Sequence, residues 1–216
     1  MTLTRLQFYT ACKAFLDTGD FNPASDALFK RYSEGWSWKE HDLFPELGYL
    51  SRSVLLLGNL RDSRGYSASD YPAELLLEVE IQEDNASAEQ SSEEVLTCKQ
   101  YVVYSPTFQI PALYFNGVAL TLAEIVRTSL FHSQALPTTV TNYAIDAPES
   151  SFAMLSQGDH PILGIPCWYL HPCHTAEMVE EIMKEAECDD PEQRWLKAWF
   201  TVLGNVVDFR TFSGDA

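Results

Sequence analysis

The chain has 216 residues, of which 46% are hydrophobic and 12% aromatic, so it is long enough to form one domain with its own core. Its 31 acidic and 14 basic side chains give a net charge of −17. This charge argues against a nucleic-acid partner and against anionic membrane surfaces, because both require clustered lysine and arginine. The five cysteines are dispersed and form no CxxC pair, which indicates free thiols in a reducing, cytoplasmic compartment.

The N-terminal part of the chain shows no sorting signal and begins with a helical pattern. Residues 1–7 lack the apolar core of a signal peptide, and no apolar run in the chain is long enough to cross a bilayer. Apolar side chains at helical spacing predict a helix over residues 4–17. The elements predicted next are a short helix over 25–32, an irregular segment containing Trp36 and Trp38, and strands over 49–57 and 73–82.

An acidic segment without large apolar side chains follows, at residues 83–94, and we expect it to be a mobile loop inside the domain. Residues 133–159 look irregular. The remaining elements predicted from periodicity and capping signals are strands over 95–104, 110–115 and 167–170, and helices over 121–131, from Thr175 and from Pro191. Strands followed by helices predict a single α+β domain over 1–216, with an antiparallel sheet of about four strands and helices on one face and at the C-terminal end.

One short run places a cysteine where an extended segment ends and a helix begins: His171-Pro172-Cys173-His174. The following helix is predicted to be amphipathic, with Met178, Val179, Ile182 and Met183 on one side. A thiol just ahead of a helix N-terminus lies near exposed N–H groups and the positive end of the helix dipole, and both favour the thiolate. Thiolate is the form that attacks carbonyl carbons, so Cys173 is the candidate nucleophile.

Two other kinds of site are alternatives to a nucleophile. Cys167, His171, Cys173 and His174 are soft and imidazole ligands, but their spacing lacks the paired pattern of structural zinc sites. A cysteine protease would need a distant histidine to activate the thiol, and His41, His132 and His160 are available. No protease signature surrounds Cys173.

The arrangement of these elements is similar to a ubiquitin-conjugating fold. The fused His171-Pro172-Cys173 resembles the two autophagy conjugating families, autophagy-related proteins three and ten. The segments 104–115, 160–166 and 199–207 resemble the strand pair, the turn before the catalytic strand and the closing helix of the second family.

The resemblance implies an enzyme that needs no cofactor or metal. Cys173 would accept the ubiquitin-like modifier autophagy-related protein twelve from the activating enzyme, autophagy-related protein seven, and hold it as a thioester. The modifier would then pass to a lysine of autophagy-related protein five. The alternatives are a non-catalytic module that binds a ubiquitin-like protein, and the sister enzyme type, autophagy-related protein three, which lipidates autophagy-related protein eight.

Transfer to a lysine requires a donor that stabilises the tetrahedral oxyanion. The chain lacks the asparagine of the His-Pro-Asn motif found in ordinary ubiquitin-conjugating enzymes, so this donor stays open. The candidates are the backbone N–H groups of residues 174–176, His171, Asn116 at the predicted hairpin tip, and Tyr49, whose hydroxyl could instead orient the lysine.

Overall fold

A computed structural model of the protein describes residues 2–17, 32–58, 94–117, 125, 128–132, 144–146, 153–184 and 191–209. Three α-helices, one short 3-10 helix (Pro45–Leu47) and seven strands have their bounds within these residues. In chain order the α-helices and strands are α1 (Arg5–Leu16), β1 (Ser37–Lys39), β2 (Tyr49–Gly58), β3 (Glu94–Ser105), β4 (Ile110–Gly117), β5 (Ala144–Asp146), β6 (Ala153–Asp159), β7 (Pro166–Leu170), α2 (Cys173–Lys184) and α3 (Pro191–Leu203).

The seven strands form one antiparallel sheet in the order β1-β2-β3-β4-β7-β6-β5. The first four strands follow one another as a meander, and β7 then pairs with β4 at Tyr169 and Trp168. On its other side β7 pairs with β6 along its whole length, from Pro166 to Leu170. The strand that leads to Cys173 therefore lies inside the sheet, between two neighbours.

The helices cover one face of the sheet, and an aromatic cluster fills the space between the two layers. The Phe200 ring is fully buried, and its centroid lies 4.8 Å from that of Phe15 on α1 and 5.0 Å from that of Trp199. Trp36 and Phe209 approach the same ring at 5.9 Å and 5.4 Å. Helix α3 thus brings the N-terminal helix, the residue before β1 and the C-terminal segment together, because Phe15, Trp36 and Phe209 all contact its Phe200 side chain.

Two further contacts fix this layer. The indole N–H of Trp199 donates to the carbonyl oxygen of Pro111 in β4 at 3.1 Å, which places α3 over the middle of the sheet. Helix α1 begins at a capping box in which Thr4 and Gln7 satisfy each other's backbone N–H groups. Between β1 and β2, a Cβ on Gly48 would lie 2.4 Å from the carbonyl oxygen of Lys39, so only glycine fits there.

The predicted α+β class, with an antiparallel sheet and helices on one face, is confirmed, although the expected count of about four strands was too low. The predicted strands at 49–57, 95–104, 110–115 and 167–170 and the helices at 4–17 and from Pro191 are present. The strand predicted over 73–82 lies outside the described residues. The same holds for nearly all of the predicted helix over 25–32 and of the acidic segment 83–94.

Some predictions were wrong for identifiable reasons. The segment 133–159 was expected to be irregular, but it contributes β5 and β6. Strand β6 forms through its pairing with β7, and it was not predicted because it carries few apolar side chains. Segment 36–38 contributes to β1 through pairing with β2. The helix expected to continue to Phe131 ends earlier, since the N–H of Ser129 bonds to the carbonyl of Leu57 and Phe131 forms a bridge with Val207.

Among the described residues, no helix is both long and apolar enough to cross a membrane.

Replacing Phe200 with alanine should lower the free energy of unfolding by about 3–5 kcal/mol, because the change leaves a cavity between α1, α3 and the sheet. Leu6→Ala is the matched control: Leu6 is 67% exposed on α1, so its truncation should cost less than about 0.5 kcal/mol. Urea denaturation followed by tryptophan fluorescence measures both. Equal costs for the two variants would contradict the central role of Phe200.

Candidate active site

Cys173 is the first residue of α2, so it lies within the first helical turn and not ahead of it as the sequence suggested. The backbone on both sides of it is fixed. The N–H of His171 donates to the carbonyl of Met154 at 2.9 Å, which extends the pairing of β6 with β7 by one residue. The carbonyl of Pro172 then accepts a 2.7 Å hydrogen bond from the hydroxyl of the buried Thr175.

The start of α2 leaves N–H groups beside the cysteine. The N–H of Ala176 bonds to the carbonyl of Pro172 at 3.3 Å, which is the first hydrogen bond of the helix. The preceding N–H groups, of residues 173–175, have no intrahelical acceptor by the geometry of a helix start. Of the backbone candidates for the oxyanion, residues 174 and 175 therefore remain, while the Ala176 N–H is already used.

An aromatic residue from another part of the chain lies against His171. The Phe108 ring, on the turn between β3 and β4, makes an edge-to-face contact with the imidazole at 5.1 Å between centroids, and the Tyr169 ring lies at 6.3 Å. Phe108 is 38% exposed. The turn itself is fixed by the N-terminal segment, since the N–H of Leu3 donates to the carbonyl of Gln109 at 2.8 Å.

The three thiols that the structure describes, of Cys12, Cys98 and Cys167, are buried and protonated. Burial raises the pKa of Cys12 well above its usual range and raises that of Cys98 to about 12. Burial also raises the pKa of Cys167, although a hydrogen bond from Asn116 acts in the opposite direction. All three are free cysteines, and none is placed to act as a thiolate at neutral pH.

The second face of the sheet, which the helices in the described part of the chain do not cover, carries tyrosines that we call the tyrosine face: Tyr49, Tyr101, Tyr114 and Tyr169. The turn from His160 to Ile165 packs on it, and the fully buried His160 ring lies 4.8 Å from Tyr49 and 4.7 Å from Tyr101. Tyr114 and Tyr169 stack on each other at 5.3 Å. This face therefore continues from β2 to β7, the strand that leads to the cysteine.

His160 holds this turn in its neutral form. Its Nδ1 accepts the backbone N–H groups of Ile162 and Leu163 at 3.2 and 3.1 Å, so the ring proton is on Nε2. Nε2 is buried and has no hydrogen-bond partner within the described part of the chain. Burial lowers the pKa of His160 to about 4. The turn closes at Gly164, whose φ of +62° favours glycine.

Asn116 and Tyr49 lie apart from Cys173. The Asn116 side chain donates to the carbonyl of Pro166 at 2.7 Å, which is the beginning of β7, whereas Cys173 follows its end. Five strand residues at about 3.3 Å each separate the two positions. By the register of the sheet, Tyr49 lies in line with Val103 on β3, Ala112 on β4 and His171 just after β7. Tyr49 and His171 are therefore three strand spacings apart, at about 4.8 Å each.

The histidines considered for a protease have other contacts. His132 has its Nε2 3.0 Å from the carbonyl of Gly204, and His41 accepts the N–H of Leu43 through Nδ1. His160 is buried in the tyrosine face. Within the described ranges, no three histidine, cysteine, aspartate or glutamate side chains are arranged to hold a metal ion.

Phe108 and Thr175 are site residues that the sequence analysis missed. Thr175 lies two residues after the cysteine, and a hydroxyl in the first turn of a predicted helix is a recognisable signal for a hydrogen bond to the backbone. Phe108 had no such signal, because its contact with His171 depends on where the turn between β3 and β4 falls relative to the end of β7.

The fold and the position of the cysteine together define an E2-like protein, with an antiparallel sheet, helices on one face, and a cysteine where a sheet strand passes into a helix. Residues 8–213 match the sequence profile described as autophagocytosis associated protein, active-site domain. The chain therefore belongs to this family, as the resemblance of its motifs implied.

Curated relatives agree with this assignment. The human ubiquitin-like-conjugating enzyme ATG10 is 24% identical over 188 residues, which cover 82% of this chain and 80% of the human protein. The enzyme of the same name from Arabidopsis thaliana is 27% identical over 170 residues, covering 76% of this chain and 73% of the relative. The one from Dictyostelium discoideum is 27% identical over 118 residues, or 50% and 49% of the two chains. The chain is an E2-like ubiquitin-like protein transferase of autophagy.

Because the pKa of His160 is about 4 in the folded protein and ordinarily 6.5, the unfolded chain binds its proton more readily. The contribution of His160 to stability is complete above pH 6.5 and is lost as the pH falls from 6.5 toward 4. His160→Asn retains an acceptor at the δ position and removes the titration. We expect the free energy of unfolding of this variant to depend less steeply on pH in this window.

The matched control is His41→Asn, because His41 makes the same kind of hydrogen bond to Leu43 while its ring is only partly buried. Urea denaturation at several pH values between 4 and 7 measures the slopes. Parallel curves for wild type and His160→Asn would contradict the assignment of a neutral, buried His160.

Proposed function

We propose that Cys173 carries the ubiquitin-like modifier autophagy-related protein twelve as a thioester and passes it to a lysine of autophagy-related protein five. The observation that carries the proposal is the placement of this cysteine as the first residue of α2, directly after a strand fixed on both sides. The thiols of Cys12, Cys98 and Cys167 are buried with raised pKa values, so they are poor nucleophiles. The names of the relatives support a conjugating enzyme of this type.

Loading is an exchange between two thioesters. The Cys173 thiolate attacks the carbonyl carbon of the modifier's C-terminal glycine, which is bound to a cysteine of the activating enzyme, autophagy-related protein seven. A new C–S bond forms, the old one breaks, and the activating enzyme leaves with its own cysteine as a thiolate. The start of α2 favours this step because the positive end of the helix dipole stabilises a thiolate.

Discharge transfers the same acyl group to nitrogen. The neutral amine of the acceptor lysine attacks the thioester carbon, a C–N bond forms, the C–S bond breaks, and the amine releases one proton to solvent. Cys173 returns to a thiolate. The developing oxyanion needs donors, and the N–H groups of residues 174 and 175 are the nearest that the helix start supplies.

For His171 we propose a positioning role. Its backbone N–H is bound to Met154 and its ring contacts Phe108, so the residue holds the segment that leads into Cys173. For Tyr49, orientation of the acceptor lysine stays a prediction. Its ring is buried on the tyrosine face, in the sheet row that ends at His171.

The reducing, cytoplasmic compartment also stays a prediction. It is supported by three described cysteines that are free and buried.

Substitution of Cys173 tests the carrier directly. Incubation with the activating enzyme, ATP and the modifier should give wild type an adduct that thiol reductant removes. Cys173→Ser should give an adduct that reductant leaves intact, because an oxyester resists thiols, and Cys173→Ala should give none. Gel electrophoresis with and without reductant measures all three.

Cys167→Ala is the matched control for this assay, because it removes a thiol six residues earlier that is buried and protonated. We expect it to be loaded like wild type, with a circular dichroism spectrum that confirms its fold. Normal loading of Cys173→Ala would overturn the proposal. Loading with autophagy-related protein eight in place of autophagy-related protein twelve would instead point to the sister enzyme type.

The position of Asn116 predicts a small effect on chemistry. Asn116→Ala should slow discharge of the loaded enzyme by less than about threefold, because the side chain bonds to Pro166 at the far end of β7. A direct oxyanion donor would instead cost about 10²–10³-fold in the rate of discharge. Single-turnover discharge of pre-loaded enzyme measures this rate, and a loss of that size would return Asn116 to the oxyanion site.

A further inference from the structure

The turn between β3 and β4 has an unusual backbone. Gln109 has a φ of +55°, and it is the one residue other than glycine with a positive φ among those that the structure describes. A side chain disfavours this left-handed region, which glycine adopts readily. Residues held in such conformations cluster near active sites, and Gln109 lies one residue from Phe108, which contacts His171.

The end of β3 and the N-terminal segment together hold Gln109 in this conformation. Its backbone N–H donates to the carbonyl of Ser105 at 2.8 Å, and its carbonyl accepts the N–H of Leu3 at 2.8 Å. Leu3 is itself buried, and its carbonyl accepts a hydrogen bond from the hydroxyl of Tyr104 at 2.8 Å. The surroundings therefore fix the backbone of this turn against the preference of the Gln109 side chain.

This backbone determines the position of Phe108. The Phe108 ring meets the His171 imidazole edge to face, with 5.1 Å between centroids and 75° between planes. The ring is 38% exposed and belongs to neither of the buried hydrophobic clusters in the described part of the chain. Burial therefore does not explain why an aromatic side chain stands here, whereas the contact with His171 does.

His171 precedes Pro172 and Cys173, so a change in its position carries over to the cysteine. Its backbone N–H is bound to the carbonyl of Met154 at 2.9 Å, and the proline that follows favours an extended backbone at residue 171. The contact with Phe108 restrains the side chain of the same residue. Because a displacement of the reacting group by about 1 Å can slow a reaction about 100-fold, even a small rotation of this segment matters.

We propose that Phe108 is a positioning residue for the transfer reaction, held beside His171 by the left-handed backbone of Gln109. This inference rests on the proposed carrier role of Cys173. Phe108 keeps the imidazole in one orientation, and it thereby keeps segment 171–173 in the geometry in which the acceptor amine reaches the thioester carbon. Phe108 itself contacts neither substrate, so its loss lowers the rate of the chemical step and leaves binding of the acceptor unchanged.

Single-turnover discharge of pre-loaded enzyme, measured over a range of concentrations of autophagy-related protein five, separates rate from binding. Phe108→Leu should lower the maximal rate by about two- to tenfold, which is the size expected for the loss of one aromatic contact. The concentration of acceptor that gives half of the maximal rate should stay the same. Phe108→Tyr keeps the ring and should restore the rate.

Phe44→Leu is the matched control for this assay. Phe44 is also an exposed phenylalanine whose ring stacks on a histidine, His41, at 6.1 Å between centroids, but it lies between β1 and β2. We expect this variant to discharge like wild type.

Two substitutions of Gln109 test the backbone separately from the ring. Gln109→Gly should discharge like wild type, because glycine adopts a positive φ without strain. Gln109→Val should reproduce the loss caused by Phe108→Leu, because a β-branched residue strongly disfavours this conformation. A circular dichroism spectrum confirms that each variant is folded.

NMR of protein labelled with ¹³C-histidine reports the orientation of His171 without any partner, because the chain has only five histidines. The imidazole C–H signals of His171, assigned by their loss in His171→Gln, should shift in Phe108→Leu and Gln109→Val. They should stay near their wild-type positions in Gln109→Gly. His132, whose Nε2 lies 3.0 Å from the carbonyl of Gly204, is the internal reference and should not move.

The outcomes separate the two proposals. If wild type forms no thioester with verified partners, the carrier role of Cys173 fails and this inference fails with it. If wild type is loaded and a folded Phe108→Leu discharges at the wild-type rate, the carrier role stands and the positioning role is overturned. An unchanged maximal rate that requires more acceptor would also overturn it, because Phe108 would then contact the acceptor.

Discussion

The position of Cys173 depends on the pairing of β7 inside the sheet. This five-residue strand is held by β4 on one side and by β6 on the other. The hydrogen bond from His171 to Met154 continues this pairing to the residue before Pro172, and Pro172 itself has no N–H to offer. Because Thr175 then bonds back to Pro172, the chain passes from strand to helix over a very short distance. A nucleophile at this junction gains a fixed position from the sheet and exposed N–H groups from the helix.

The two faces of the sheet have different structural roles. The helix-covered face contains the large aromatic cluster around Phe200, which joins the N-terminal and C-terminal parts of the chain. The tyrosine face is covered by the turn that precedes β7, and a neutral His160 fastens that turn to the sheet. The first face therefore supplies stability, and the second determines where β7 begins. Because β7 is only five residues long, a shift in the position of its first residue would also shift Cys173, which follows its last residue.

The helices and strands that the sequence predicted correctly are those that local patterns of apolar residues determine. Apolar periodicity identified α1 and α3, and the apolar runs identified β2, β3, β4 and β7. It did not predict β6, whose residues Ser156, Gln157, Gly158 and Asp159 are polar and become a strand only because β7 lies beside them. It grouped Met178 with Val179 on one side of α2, yet Val179 is fully buried and Met178 is exposed, because periodicity does not show how much of a face the neighbouring elements cover. The contact between Phe108 and His171 could not be predicted for a similar reason, since it joins residues that are distant in sequence.

Three of the five cysteines are described as free, buried thiols. Cys12, Cys98 and Cys167 belong to the two buried faces, where desolvation opposes the thiolate and keeps their pKa values high. At the junction between β7 and α2, the start of a helix favours negative charge. The fold therefore separates three protonated thiols, held in buried layers, from a further cysteine that stands at the start of a helix.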